Sequence, residues 1–205
     1  MRSTHAAAGP PGRVAVFAYG SLVSRASCER TLGSPVEGIW AAELRGWRRG
    51  FTLARANRTC EKTFSRADTG EIPEWVLALN VESSSPAGWV NGALIELSTD
   101  ARARLDAREL RYARRDVSAA VHAGPAAPSF AAVYTYVARS EHHAPTPPEG
   151  AVILRSYAEA VESAFADLGR DEVERFRAST AVPAVELIDG ILVRDSIPPG
   201  NPRDW

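Results

Sequence analysis

Short apolar runs cut by glycine and proline set the narrowest limit on what this chain can become. Val14-Ala15-Val16-Phe17-Ala18-Tyr19 is closed by Gly20-Ser21 and reads as a buried strand followed by a tight turn. Trp40 to Leu53 carries Gly46 and Gly50 and reads as one strand with a bend or bulge. Arg55 to Glu74 is polar and broken by Gly70 and Pro73, so it reads as a long loop of the kind that often carries function. Trp75 to Val81 and Trp89 to Leu97 are the next strands, joined through Ser83-Ser84-Ser85-Pro86-Ala87-Gly88. A helix is predicted from Thr99 to Arg111, then strands from Tyr112 to Val121 and from Phe130 to Ala138, with Gly124 to Pro128 turning between them. Beyond the Pro-rich stretch Ala144-Pro145-Thr146-Pro147-Pro148, a long amphipathic helix is predicted from Val152 to Leu168, stopped by Gly169. A short helix from Asp171 to Arg177 and one apolar patch, Val185 to Val193, complete the pattern. Strands first and helices late predict an α+β fold: a small mixed, mostly antiparallel β-barrel flanked by a few helices. Residues 1–12 read as a disordered tail, 13–180 as the domain and 181–205 as a C-terminal extension, with regular structure ended by Pro198 to Pro202.

Composition narrows the function. The 205 residues are 45% hydrophobic and 24% charged, enough apolar side chain for a sizeable core in one domain. A net charge of −1, with acidic side chains interleaved among the basic ones, excludes a nucleic-acid binder that works by bulk attraction to phosphate. Of the 24 basic residues 23 are Arg and only Lys62 is Lys, which removes Schiff-base chemistry from most of the chain. Cys28 and Cys60 alone cannot make a disulfide framework or a Cys-rich metal site, and they read as ordinary thiols. The first twelve residues lack the apolar core of a secretory signal, and no run of about 18 apolar residues exists to span a membrane. The expectation is a cytoplasmic protein; its oligomeric state is open. His142-His143 sits in a polar loop with no acidic or Cys ligands beside it, so no metal site is read there. Arg48-Arg49 reads either as a solvated strand face or as a grip for a distant substrate carboxylate.

One acidic residue stands out. On the predicted helix, Ala101, Leu105 and Glu109 share a stripe, with Tyr112 three residues on if helical geometry lasts that far. Glu109 therefore leans inward. Its neighbours at i±3 and i±4 include no basic residue, whereas Asp106 has Arg102 at i−4 for a surface ion pair. Burial, an acidic neighbour and a helix C-terminus all raise a carboxylate pKa, the property a general acid or base near neutral pH requires. The alternative is a Glu that hydrogen-bonds a buried backbone group or pairs with a distant Arg.

At the end of the first strand, Gly20 permits a sharp bend, and the amides of Ser21, Leu22 and Val23 can face one anion. The turn fits neither a G-x-S-x-G elbow nor a phosphate loop, and an ordinary turn remains open. Taken together, Phe17-Ala18-Tyr19-Gly20-Ser21-Leu22, then Leu105-Asp106-x-x-Glu109 and Tyr112, resemble the γ-glutamylcyclotransferase-like family with its ChaC-type and AIG2-like branches. Gly92 in the strand before the helix, Tyr134-Thr135-Tyr136-Val137, the Pro-rich stretch and Tyr157 at the start of the long helix fall in the same order. The resemblance covers about residues 14–169. Val23-Ser24 departs from the ChaC branch, and the 55–74 and 181–205 segments have no counterpart in it.

The resemblance implies an enzyme that converts a small-molecule γ-glutamyl amide into 5-oxoproline and a free amine. The substrate's own α-amine attacks its γ-carbonyl, so no covalent enzyme intermediate, metal or cofactor is required. Glu109 would take the proton from the ammonium and return it to the leaving amine. The turn at Tyr19, Gly20, Ser21 and Leu22 would hold the α-carboxylate or the oxyanion. Tyr112 and Tyr157 would line the pocket or orient Glu109, or else are core aromatics. Two competitors remain: a non-catalytic γ-glutamyl or acyl-amide binding module of the same fold, and a hydrolase using Ser21, which would need a His within reach.

Overall fold

The structure, a computed structural model, describes residues 12–197 and 201–202. The tail expected over 1–12 lies outside the described residues apart from Gly12, as do Pro198, Pro199 and Gly200. The chain opens with β1 (Val14–Ala18), a one-turn 3-10 helix (Ser21–Val23) and α1 (Arg25–Leu32). Five strands follow: β2 (Ile39–Arg45), β3 (Trp47–Ala56), β4 (Lys62–Arg66), β5 (Trp75–Ser83) and β6 (Trp89–Leu97). Next come α2 (Thr99–Arg108), β7 (Tyr112–Asp116), β8 (Val121–Ala123), β9 (Ala132–Ala138) and β10 (Ala151–Leu154). The last elements are α3 (Arg155–Leu168), α4 (Glu172–Ala178), β11 (Thr180–Ala181), β12 (Glu186–Ile188) and β13 (Gly190–Asp195).

Two curled sheets enclose one core, with strand orders β7-β9-β1-β6-β2-β8 and β11-β3-β5-β10-β12; β4 and β13 form a separate ribbon. The longest ladders, β2 on β6 and β3 on β5, are antiparallel, while β1 on β9 and β10 on β5 and β12 are parallel. This is the mixed, mostly antiparallel α+β architecture expected. β1 is apolar throughout and buried nearly throughout because neighbours pair with both its edges and the core lies against it. The first two helices begin at serines: Ser24 caps α1 by accepting from the Ser27 amide, and Ser98 caps α2 by accepting from that of Ala101. Among the described residues no helix is long and apolar enough to cross a membrane.

Several boundaries differ from the sequence reading. Trp40 to Leu53 is two strands, because Gly46 takes φ 77° and turns the chain between β2 and β3. The 55–74 segment is not a loop throughout. It holds the end of β3 and all of β4, whose partner β13 lies more than 120 residues away. The inward side chains of β4 are polar (Lys62, Thr63 and Ser65 are buried), so no apolar alternation marks the strand. Lys62 meets Asp195 of β13 at 3.2 Å. Tyr112 to Val121 divides because Asp116 Oδ1 accepts from the Ser118 amide and hydroxyl, a local turn that sends β7 and β8 to opposite edges of the six-stranded sheet. The long helix starts at Arg155: the apolar run Ala151–Leu154 is buried as a parallel strand between β5 and β12. Residues 186–195, beyond the predicted domain, pair with both β10 and β4.

Candidate active site

The turn after β1 and the end of α2 meet in one pocket. It is walled by Tyr19, Gly20, Ser21, Leu22, Tyr112 and Tyr157, with Glu109 and Arg108 at its side. The residues to which the resemblance assigns the site, Glu109 with Tyr19, Gly20, Ser21, Leu22, Tyr112 and Tyr157, therefore line the same cavity. A larger cavity of about 400 Å³ adjoins it and shares Ser21, Arg108, Glu109, Tyr112 and Tyr157 with it, so Glu109 lies where the two join.

The α2 helix ends at Arg108, three residues earlier than expected. Glu109 has φ −87° and ψ 52°, so it stands outside helical geometry while its amide still bonds Leu105 O at 3.0 Å. That exit changes the pairing argument. The buried stripe of α2 is Ala101, Leu105 and Arg108, not Ala101, Leu105 and Glu109. Arg108 Nη1 lies 3.1 Å from Glu109 Oε1, and the two side chains are 7% and 15% exposed. The expectation of a locally unpaired Glu109 is thus overturned. A survey of i±3 and i±4 neighbours misses this contact because, at a helix end, the side chains of adjacent residues can converge. Arg108 Nη2 also donates to Ser21 Oγ at 3.2 Å, so one buried guanidinium bridges the carboxylate and the turn. Asp106 likewise does not use Arg102. It pairs with Arg114 and accepts from Tyr136 Oη at 2.7 Å.

At the turn, Val23 N is spent on Gly20 O at 3.0 Å, which removes one of the three amides expected to face a ligand. Those of Ser21 and Leu22 are the first of the one-turn helix and have no carbonyl to bond within it. Gly20 is not in a left-handed conformation; an added Cβ would sit 3.7 Å from Tyr157 Oη and from Leu79 Cδ1, so the glycine leaves room at the pocket floor. Gly92 has a stricter role. A Cβ there would come 2.2 Å from Ala18 O, so β6 can lie against the end of β1 only without one.

The aromatic walls are tied in place. β10 pairs with β5 only at Trp75 and Val76, and farther along β5 both backbone groups of Leu79 are met by hydroxyls. Tyr112 Oη donates to Leu79 O at 2.8 Å, and Tyr157 Oη accepts from Leu79 N at 3.3 Å. Tyr19 Oη donates to Tyr136 O at 2.7 Å. Burial pushes the Tyr157 phenol up to about 12 and those of Tyr19 and Tyr136 well above the ordinary tyrosine range. These hydroxyls stay protonated at neutral pH, which leaves Glu109 as the one carboxylate on the pocket wall. Among the described residues no His lines either of the cavities that Ser21 borders. His143 lies beside Glu82 instead, at 3.1 Å. The Pro-rich stretch Ala144–Pro148 contributes nothing to the lining of either cavity.

Sequence reasoning also misread Arg49. Arg48 is exposed and pairs with Glu82, but Arg49 is 1% exposed. Its guanidinium donates to Tyr19 O (3.1 Å), Asn91 O (2.8 Å), Asn91 Oδ1 (2.8 Å), Phe176 O (3.2 Å), Ser179 Oγ (2.9 Å) and Thr180 Oγ1 (2.7 Å). It also lies over the Phe176 ring, 4.2 Å from the centroid. Arg49 thus holds the carbonyl at the start of the turn from behind. The signal that could have found it is its alternation with Arg48 on a strand, which puts one of the pair inside.

No family model and no curated protein matches the sequence, but solved structures match the fold. A γ-glutamyl cyclotransferase superposes with TM-score 0.57 at 14% identity, covering 82% of this chain and 88% of that one. An uncharacterised human protein gives TM-score 0.56 at 14% identity, with the same coverage. YkqA of Bacillus subtilis gives 0.52 at 18% identity over 81% of this chain, which spans only 53% of YkqA. The chain has a γ-glutamyl cyclotransferase-like fold.

Proposed function

We propose that the protein is a γ-glutamylcyclotransferase-type enzyme that cleaves a γ-glutamyl amide by intramolecular aminolysis. The observation that carries the reading is Glu109. Its side chain is 15% exposed and stands at the junction of a small aromatic pocket and a larger cavity, beside a turn with two amides free of helical partners. The glutamyl half occupies the small pocket, its α-carboxylate or developing oxyanion against the Ser21 and Leu22 amides. The ammonium gives a proton to Glu109, and the freed amine attacks the γ-carbonyl. A C–N bond forms, Glu109 passes its proton to the leaving nitrogen as the original amide C–N bond breaks, and Glu109 then carries the second proton of the attacking nitrogen to the released amine, which departs as an ammonium. Arg108 acts as a positioning residue: it holds the carboxylate toward the reacting atoms and brings a cation near the oxyanion. Most of the rate comes from holding the chain folded back on itself, since well-oriented intramolecular reactions reach effective molarities of about 10⁵–10⁸ M. Every step uses the chain's own side chains and amides.

The test is Glu109→Gln, which keeps shape and removes the base. The wild type is expected to release 5-oxoproline from γ-glutamyl compounds, read by mass spectrometry, and the variant to lose roughly 10²–10⁴-fold in rate while still folded at the assay temperature, with a lowered melting temperature because Arg108 loses its ion partner. Full activity in the variant refutes the role of Glu109. Binding of γ-glutamyl compounds by the wild type without turnover supports a binding module instead, a reading that the Arg108–Glu109 ion pair accommodates.

A further inference from the structure

The cavity on the far side of Glu109 defines what the leaving amine has to be. Its volume, about 400 Å³, is that of a ligand site, typically roughly 300–1,000 Å³. One wall is apolar and drawn from four strands: Leu53 of β3, Phe64 of β4, Val76 of β5 and Leu154 of β10. Ala160 of α3 lies at its edge, Ser24, Ser27 and Arg30 of α1 give it one polar side, and Arg55, Arg111 and Ser156 also line it, with the Arg55 guanidinium over the Phe64 ring at 5.4 Å. With the glutamyl half in the small pocket and the scissile bond at Glu109, the amine half extends into this cavity. The assignment rests on the cyclotransferase reading. A small polar amine would leave the apolar wall wet, whereas a bulky apolar one would remove it from water.

One of the four wall residues, Phe64, comes from the 55–74 segment, and the 181–205 segment lies behind it; neither segment has a counterpart in the family resemblance. β4 carries Phe64, and β13 backs it: a Cβ on Gly190 would come 2.6 Å from Leu154 Cδ2 and 3.6 Å from Phe64 Cδ1. The ribbon of β4 and β13 therefore presses two apolar side chains into place beside the reaction centre. We propose that the substrate is a γ-glutamyl conjugate of a bulky apolar amine, aromatic or branched aliphatic, rather than of glycine, alanine or the cysteinylglycine of glutathione.

Two matched pairs test this by 5-oxoproline release: γ-glutamylphenylalanine against γ-glutamylglycine, and γ-glutamylphenethylamide against γ-glutamylethylamide. The bulky member of each pair is expected to have the higher kcat/KM by about tenfold or more. Ala160→Trp, which fills the cavity from the exposed face of α3, and Phe64→Ala, which removes its wall, are each expected to pull that ratio toward one. Glutathione is expected to be turned over less efficiently than γ-glutamylphenylalanine. Equal or reversed preference with 5-oxoproline still formed overturns the substrate class and leaves the reaction standing, and so does a preference that survives both substitutions. Release from none of these compounds overturns the reaction itself and the inference with it.

Discussion

The Arg49 guanidinium spends its N–H groups on carbonyls and hydroxyls from the turn after β1, from β6, from α4 and its C-cap, and from β11, out of reach of water. Arg49→Met fits the space but orphans those acceptors, so it is expected to cost about 3–5 kcal/mol, read as a fall in melting temperature on the order of 10 °C. Arg108 is the one of the two that the proposed reaction uses. Arg108→Met is expected to lower kcat by one to two orders of magnitude, roughly the weight of one electrostatic contact, and Arg108→Lys to restore part of it; equal kcat in all three would remove Arg108 from the site. Cys28 is buried, and burial pushes its thiol up to about 12. It is expected to stay silent toward a thiol reagent at pH 8 until urea unfolds the chain. At this scale the sequence was legible in pointing to Glu109 as an inward-leaning acid, although the structure puts Arg108, not Glu109, on the buried stripe of α2. It was not legible where the partner is an adjacent residue leaving a helix (Arg108) or is scattered over the chain (Arg49).

Among elements, β6 and β1 form the seam on which the site depends. Gly92→Ala sets a methyl against Ala18 O, a backbone atom that cannot move without displacing the turn after it. An overpacking cost of about 1–3 kcal/mol follows, with a lower melting temperature and lost turnover together; an active variant of unchanged stability would contradict the close approach. The apolar strands were legible because their pattern is local. β4 was not, because its inward side chains are polar and its partner β13 is distant in sequence. β10 was taken for the start of α3, since a short buried apolar run looks alike in a strand and a helix. The ribbon and β10 supply Phe64 and Leu154 to the larger cavity, so part of the proposed amine site is among the features least visible in the sequence.

For the whole molecule, buried acids decide the alkaline limit. Cys28, Tyr19, Tyr136 and Tyr157 are all raised by burial, so the folded chain keeps protons that the unfolded chain gives up. More protons bound in the folded state means stability falls with rising pH. The loss begins at about pH 9, where an unfolded thiol titrates, and continues to about 12. Arg49, pushed down to about 9 by burial, works in the opposite direction but is one group against four. The urea midpoint is therefore expected to fall between pH 9 and 12; a flat or rising midpoint would contradict the burial of these groups. The fold class and the meeting of the β1 turn with α2 were legible as an order of motifs along the chain, and the superposition with a γ-glutamyl cyclotransferase supports the same fold. The reaction itself is tested most directly by the fate of solvent oxygen. Turnover of a γ-glutamyl amide in H₂¹⁸O is expected to give 5-oxoproline free of the label together with the amine, because the attacking atom is the substrate's own nitrogen. Glutamate carrying ¹⁸O in its γ-carboxylate would mean that water attacks, and would contradict the account.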